Sequence, residues 1–194
     1  MNSKAYRPLF ALIPAVASLL LTGCSSLPDK PFTGYSGQDR IHLKVAANVT
    51  DELLAAKSDE YRSIPIGTLI ASNTPILARH IFDEVVDVRN GQANSNGAVA
   101  AIFTPRVAYV GQALGAGSGN EWFVDLKAEW TLSDLKGNTI WVDTIDGRSS
   151  DCIPANSKGF KDALNAALED LLQKSQRRIS SAPAIKQFAQ KPSP

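Results

Sequence analysis

Few side chains in this sequence could do covalent chemistry: among 194 residues there are two cysteines and two histidines. A nucleophile needs a base within hydrogen-bond reach and a group that orients the base. His42 alternates onto the outer side of an extended segment, and His80 lies among Leu77, Ile81 and Glu84 at helical spacing. Both positions read as structural. No Gly-x-Ser-x-Gly elbow occurs. Gly115, Gly117 and Gly119 imitate a phosphate loop, but that fingerprint needs a strand before it and a helix after it, and here a strand follows. Asp143 with Asp146, and Asp83 with Glu84 and Asp87, bring carboxylates together in patterns that solvation explains, not in a glycosidase arrangement. Asp and His lack metal-ligand spacing, and Cys and His are too few for a structural zinc site. The expectation is a protein without catalytic residues, metal or cofactor. A net charge of +1 gives no basic field for nucleic acid.

Cys24 is the exception. Lys4 and Arg7 make a positive start, and Leu9 to Leu21 is an apolar run of 13 residues holding Pro14. That run is short of the ~20 residues a membrane span needs. A charged start, a short apolar core and small residues describe a secretory signal. The run closes on Leu21-Thr22-Gly23-Cys24, which resembles the bacterial lipobox. The resemblance implies cleavage before Cys24 and diacylglycerol on its thiol, and residues 1–23 are then a lipoprotein signal peptide. Ser25 and Ser26 follow in place of the Asp that tends to hold lipoproteins at the inner membrane, which implies palmitate-bearing lipoprotein sorted to the outer membrane.

Cleavage removes Lys4 and Arg7 and no acid. The mature chain, 24–194, then carries 18 bases (20 less 2) against 19 acids, a net charge of −1. Residues 24–39 read as a flexible tether, and its Pro-, Ser- and Gly-rich stretch 25–38 could reach ~45 Å at ~3.3 Å per residue. Cys152 has no partner within the chain once Cys24 is acylated. It is a free or buried thiol or an intermolecular disulfide in an oxidising compartment.

The elements that would position a functional surface follow from periodicity. Arg40 to Thr50 alternates apolar Ile41, Leu43, Val45 and Ala47 with other residues, as a strand does. Residues 51–63 read as a short helical turn and loop. Ile66 to Val86 repeats apolar residues at helical spacing and predicts a helix that either kinks at Pro75 or starts there with Thr74 as its cap. Asn90 to Gly97 is a loop. Ala98 to Val110 has strand character, and Pro105 demands a bulge, an edge or a break. Gly111 to Asn120 is a glycine-rich connection.

Glu121 to Ser133 alternates throughout, and Asn138 to Ser149 returns through a tight turn at Lys136-Gly137. A two-residue turn sets Leu132 opposite Trp141, Trp130 opposite Asp143 and Lys127 opposite Asp146. Trp122, Trp130 and Trp141 then share one face, and a Lys127–Asp146 pair sits on the other. Ser157 to Ile179 is an amphipathic helix with an Asp170–Lys174 pair. Pro183 ends it, and one more turn fits Ala184 to Gln190.

These elements predict a single α+β domain over 40–182, with a short tail over 183–194. Its fold is a two-layer sandwich: a mainly antiparallel sheet with two amphipathic helices on the tryptophan face. The motifs Ile64-Pro65-Ile66-Gly67, Thr104-Pro105-Arg106-Val107, Trp130 to Asp134 and Ile140-Trp141 resemble small periplasmic YajG-like lipoproteins. More loosely they resemble auxiliary lipoproteins of ABC-type lipid transport and penicillin-binding-protein activators. The resemblance implies a non-enzymatic accessory role and carries over no catalytic residue.

The functional expectation is an outer-membrane-anchored adaptor or assembly factor for an envelope protein complex, its domain facing the periplasm. Phe123, Lys127 and Asp146 on the uncovered strand face are the candidate partner surface. The alternative is a carrier of lipid or another apolar ligand, which needs a groove between sheet and helices.

Overall fold

The computed structural model describes residues 32–34, 39–57, 64–91, 99–115, 121–149, 153–154 and 157–190. Residues 1–23, read above as a signal segment, Cys24, Cys152 and most of the two glycine- and asparagine-rich loops lie outside them.

The elements are β1 (Ile41–Val49), α1 (Asp51–Ala55), α2 (Ile66–Ile81), β2 (Phe82–Arg89), β3 (Ala101–Gly115), β4 (Glu121–Asp134), β5 (Thr139–Arg148), β6 (Ile153–Pro154), α3 (Ser157–Ser181) and α4 (Pro183–Ala189). The sheet runs β2-β1-β3-β4-β5, and β6 pairs with the start of β4. β1 is parallel to β2 and β3, whereas β3–β4, β4–β5 and β4–β6 are antiparallel. α2 packs on β1, β2 and β3, and α3 packs on β4 and β5. The result is a two-layer α+β sandwich.

The helical spacing that predicts a helix to Val86 runs past the real end. Helix α2 stops at Ile81, Phe82 turns to extended backbone, and residues 82–89 form β2 beside β1. The four-residue step Leu77, Ile81, Val85 spans the boundary, so periodicity alone does not mark it. Pairing with β1 does, and it is a tertiary effect. Pro75 lies inside α2, and the helix continues through it. Its missing N–H frees a carbonyl one turn back. Around this break Thr74 Oγ1 donates to the Ile70 carbonyl at 2.7 Å, and Asn73 Nδ2 to that of Leu69 at 2.9 Å. Thr74 is thus a back-bonding residue rather than a cap.

Strand β3 extends through Gly115, five residues beyond the expected Val110, because β4 pairs with it along that whole length. Pro105 sits beyond Phe103, the last residue of β3 paired with β1, so one side of the strand is an edge there. A bulge at Ala108 then shifts the register between Val107 and Tyr109.

From Asp125 to Leu132 the β4–β5 register is the expected one, but it shifts between Leu132 and Ser133, and the tip is a three-residue loop, Leu135 to Gly137, closed by the Asp134 N–H donating to the Asn138 carbonyl, rather than a two-residue turn. Leu132 faces Trp141, Trp130 faces Asp143 and Lys127 faces Asp146. Asp134 holds the turn by accepting from the backbone N–H groups of Lys136 and Asn138. Val124, Leu126, Ala128, Trp130 and Leu132 are fully buried under the helices. Trp130 stacks on Phe103 at 5.3 Å between centroids with the planes 5° apart, and Phe103 meets Phe82 edge-on. Trp141 is half-buried, and the side chain of Trp122 lies outside the described residues. The apolar stripe of α3, including Leu164, Leu168, Leu171, Leu172 and Ile179, closes the layer. Close approach of α3 to β5 requires Gly147, since a Cβ there would lie 2.3 Å from the Ala167 carbonyl oxygen.

The domain begins earlier than composition suggests. Phe32, inside the stretch that reads as tether, is 8% exposed and packs edge-on against His80 at 5.4 Å. Gly34 follows with φ +68°, and a Cβ on it would overlap the His80 ring. His80 is therefore a packing residue on which this entering segment rests.

Candidate interaction surface

The outer face of β3, β4 and β5 is built by strand parity. Each residue between the buried positions of β4 points away from the helices: Phe123, Asp125, Lys127, Glu129 and Thr131. No element packs over them among the described residues. Tyr109 is 48% exposed, Phe123 38% and Val142 51%, so the surface presents two aromatic rings and a β-branched side chain.

The charges between these groups are largely matched across strands. Arg106 forks onto Glu129, with Nε and one terminal nitrogen each 3.1 Å from a carboxylate oxygen. Arg148 binds Asp125 in the same way at 2.6 and 3.3 Å. Hydrogen bonding from Arg106 holds the Glu129 carboxyl below its ordinary value, and Asp125 holds the Arg148 guanidinium more firmly protonated. Apart from Lys127, the charges of this face are thus locked into their own pairs, with apolar groups standing between them.

The expected Lys127–Asp146 pair does not form. Lys127 lies over the Tyr109 ring, 5.7 Å from its centroid. Asp146 belongs to the edge strand, and Lys174 of α3 reaches around that edge to it at 3.4 Å. Lys174 also makes the expected pair with Asp170 at 2.8 Å. Phe123 and Lys127 therefore share the outer face, while Asp146 is engaged at its rim. Tyr109 and Val142 are the surface residues that periodicity misses, Tyr109 because the bulge at Ala108 flips the parity of β3 behind it.

The remaining chemistry-bearing residues are dispersed. The Nδ1 of His42 bonds the Asp83 carboxylate on the outer side of β1 and β2. Glu84 pairs with Lys44, Asp87 with Arg79 and Asp143 with Arg178, so each carboxylate of the sequence clusters has a different partner. Among the described residues, no group of His, Cys, Asp and Glu could hold a metal ion. None of the described helices is long and apolar enough to cross a membrane. The space between sheet and helices, where an apolar ligand would need a groove, is occupied by Phe82, Phe103, Trp130 and their neighbours.

No protein-family model matches the chain, and no curated protein matches it. Solved structures do resemble it. A Xanthomonas campestris protein of the DUF330 family shares 11% identity and a TM-score of 0.46, over 77% of this chain and 86% of that one. A minor lipoprotein from Acinetobacter baumannii shares 16% identity and a TM-score of 0.43, over 74% and 94%. The hypothetical protein CT253 from Chlamydia trachomatis shares 10% and 0.45, over 77% and 98%. At TM-scores below 0.5 none of these likenesses carries a function to the chain.

Proposed function

We propose that the chain is a bacterial lipoprotein, anchored to the outer membrane through acylated Cys24, whose domain acts as a non-catalytic adaptor for an envelope protein complex. The anchor rests on Leu21 to Cys24 and the following serines. The adaptor reading is carried by one observation: the outer face of β3–β5 leaves Tyr109, Phe123 and Val142 in water between self-paired charges. A partly aromatic face with its charges largely paired loses little on desolvation and offers ring contacts of the kind that dominate binding energy at interfaces. The filled sheet–helix interface favours this reading over a carrier with its ligand between the layers.

Two substitution sets test the two halves of the proposal. Cys24→Ala should abolish fatty-acid labelling and release the chain from the membrane fraction. Retained label would overturn the anchor. Phe123→Ala with Tyr109→Ala should leave the domain folded and cut in-cell crosslinking to its partner. Unchanged crosslinking would remove this face from the proposal, and turnover of an envelope substrate by the purified protein would replace the adaptor reading altogether.

A further inference from the structure

A cleft of about 470 Å³ opens at the end of the molecule where the chain enters the sheet. Asp39, Arg40 and His42 line one side, at the start of β1. Ser180 and Ser181 at the end of α3, and Lys186 on α4, line the other. Arg40, Lys186 and Asp39 have no ion pair among the described residues, whereas His42 is engaged by Asp83. Ser180 is only 8% exposed, and its hydroxyl has no hydrogen-bond partner. A buried hydroxyl left unpaired is costly, and a change of rotamer that turned it from the interior to the cleft would let a bound group complete it.

The charges of the cleft are of both signs, and that restricts the ligand. Two cations suit a phosphate. Asp39 and the carbonyl-bearing C-terminal ends of α3 and α4 disfavour a bare anion and suit a cation. A group carrying phosphodiester and primary ammonium together satisfies both. Location adds an independent argument. Phe32 is fixed against His80 at this same end, where Phe82 pairs with Ile41. Phe32 lies eight residue steps beyond Cys24, a reach of at most ~29 Å at ~3.6 Å per step.

We propose that this cleft binds a phosphoethanolamine head group of the bilayer that holds Cys24, with Arg40 and Lys186 on the phosphate and Asp39 on the ammonium. The ligand class follows from the cleft, and its bilayer source rests on the anchoring reading above. A rotamer change at Ser180 would bring its hydroxyl to the phosphate. Seated there, the domain lies end-on to the membrane with the outer face of β3–β5 turned sideways to meet a partner.

The experiment has two arms, both with the full processed protein. In a sugar-headgroup detergent, glycerophosphoethanolamine, glycerophosphocholine and inorganic phosphate are titrated while backbone amide shifts are followed. Saturable shifts at Arg40, Ser180 and Lys186 with glycerophosphoethanolamine are expected, weakened about tenfold or more by Arg40→Ala with Lys186→Ala. Asp39→Asn should weaken that ligand and leave phosphate unaffected. Equal binding of all three ligands, or of none, overturns the proposal. In the second arm, the protein is placed in phosphatidylethanolamine or phosphatidylcholine vesicles, and amide exchange at residues 39–42 and 180–190 should slow only in the former. Binding in detergent without slowing in vesicles overturns the bilayer source and leaves a soluble phosphodiester as ligand. Loss of fatty-acid label from the wild-type chain would instead sink the anchor, and the detergent arm would still report on the cleft.

Discussion

The two halves of the sheet share one helical layer and differ in how they are connected and what covers them outside. In the parallel half, β1 and β2 are joined through α1 and α2, and Val99 and Ala100, just before β3, lie on the outer side of β1. Val99 packs there on Ala46 and Val88, and the Ala100 N–H donates to the Lys44 carbonyl at 2.8 Å. The outer face of β1 is therefore buried at Ala46 and Asn48, while His42 at its start stays exposed. In the antiparallel half, β3, β4 and β5 follow one another in sequence, and nothing described crosses their outer face. A crossing connection covers a face as a by-product of topology; successive antiparallel strands leave one open. That open face is available for binding, and the covered one is committed to stability.

The comparison breaks first if the inner face of the antiparallel half is not the main store of stability. Trp130 is fully buried and stacked on Phe103. Trp130→Ala should cost about 3–5 kcal/mol in denaturant unfolding, through lost burial and the cavity left behind. A cost under ~1 kcal/mol would mean that the helices do not close over this face. Trp130→Phe should cost distinctly less, because the indole N–H has no hydrogen-bond partner and its removal relieves an unpaired donor.

A smaller effect tests how closely α3 rides on β5. Gly147→Ala places a methyl 2.3 Å from the Ala167 carbonyl oxygen and 2.4 Å from Leu171 Cβ. Backbone must shift, and about 1–3 kcal/mol of destabilisation is expected. Neutral behaviour would show that the helix lies farther from the strand. On the outer face Phe123→Ala should change stability by no more than ~0.5 kcal/mol while lowering partner crosslinking. A large loss of stability would show that Phe123 is part of a core and not of a binding surface.

The same division explains what the sequence discloses. The body of the β4–β5 hairpin was legible, because alternation over Glu121 to Ser133 with Trp130 and Leu132 marks the buried parity, while the three-residue tip and the shift between Leu132 and Ser133 were not. Strand β2 was not, because Ile81 and Val85 keep helical spacing while the pairing that makes Phe82–Arg89 a strand comes from β1, some forty residues earlier. Tyr109 escaped notice because a one-residue bulge inverts parity without a local mark. Phe32 was hidden in a Pro- and Ser-rich stretch, and only its contact with His80 reveals it. The cleft joins Arg40 to Lys186 across most of the chain, a juxtaposition that no spacing rule registers. The proposed anchor is the opposite case, since the motif it rests on is local, Leu21 to Cys24.

The smallest expected effect is the response to acid, and it sharpens the comparison because both halves carry the groups. In the antiparallel half, hydrogen bonding from Arg106 lowers the Glu129 value, and bonding from Asn138 lowers that of Asp134 in the turn. In the parallel half, Arg89 and then Asn90 lower Asp51 beside the end of β2. A carboxyl whose value is depressed on folding binds its proton more readily unfolded. Its contribution to stability is thus fully present above the unfolded value of about 4 and is lost as pH falls through the folded value. Lys174 has the opposite sign. Asp170 raises its value, so that contribution is intact at neutral pH and is lost only as alkali passes the raised value. All of these groups lie in or near solvent, where salt screens them, so each effect should be small and should shrink further with added salt. Carboxyl-carbon NMR titration should place Glu129, Asp134 and Asp51 below ordinary carboxylates. Arg106→Gln should return Glu129 toward its usual value and move Asp51 much less, since Arg89 and Asn90 hold Asp51 while Arg106 reaches α1 only through a weaker interaction with Glu52. Movement of Asp51 as large as that of Glu129 would mean that the halves are strongly coupled, and the open face could not then be treated as independent of the covered one.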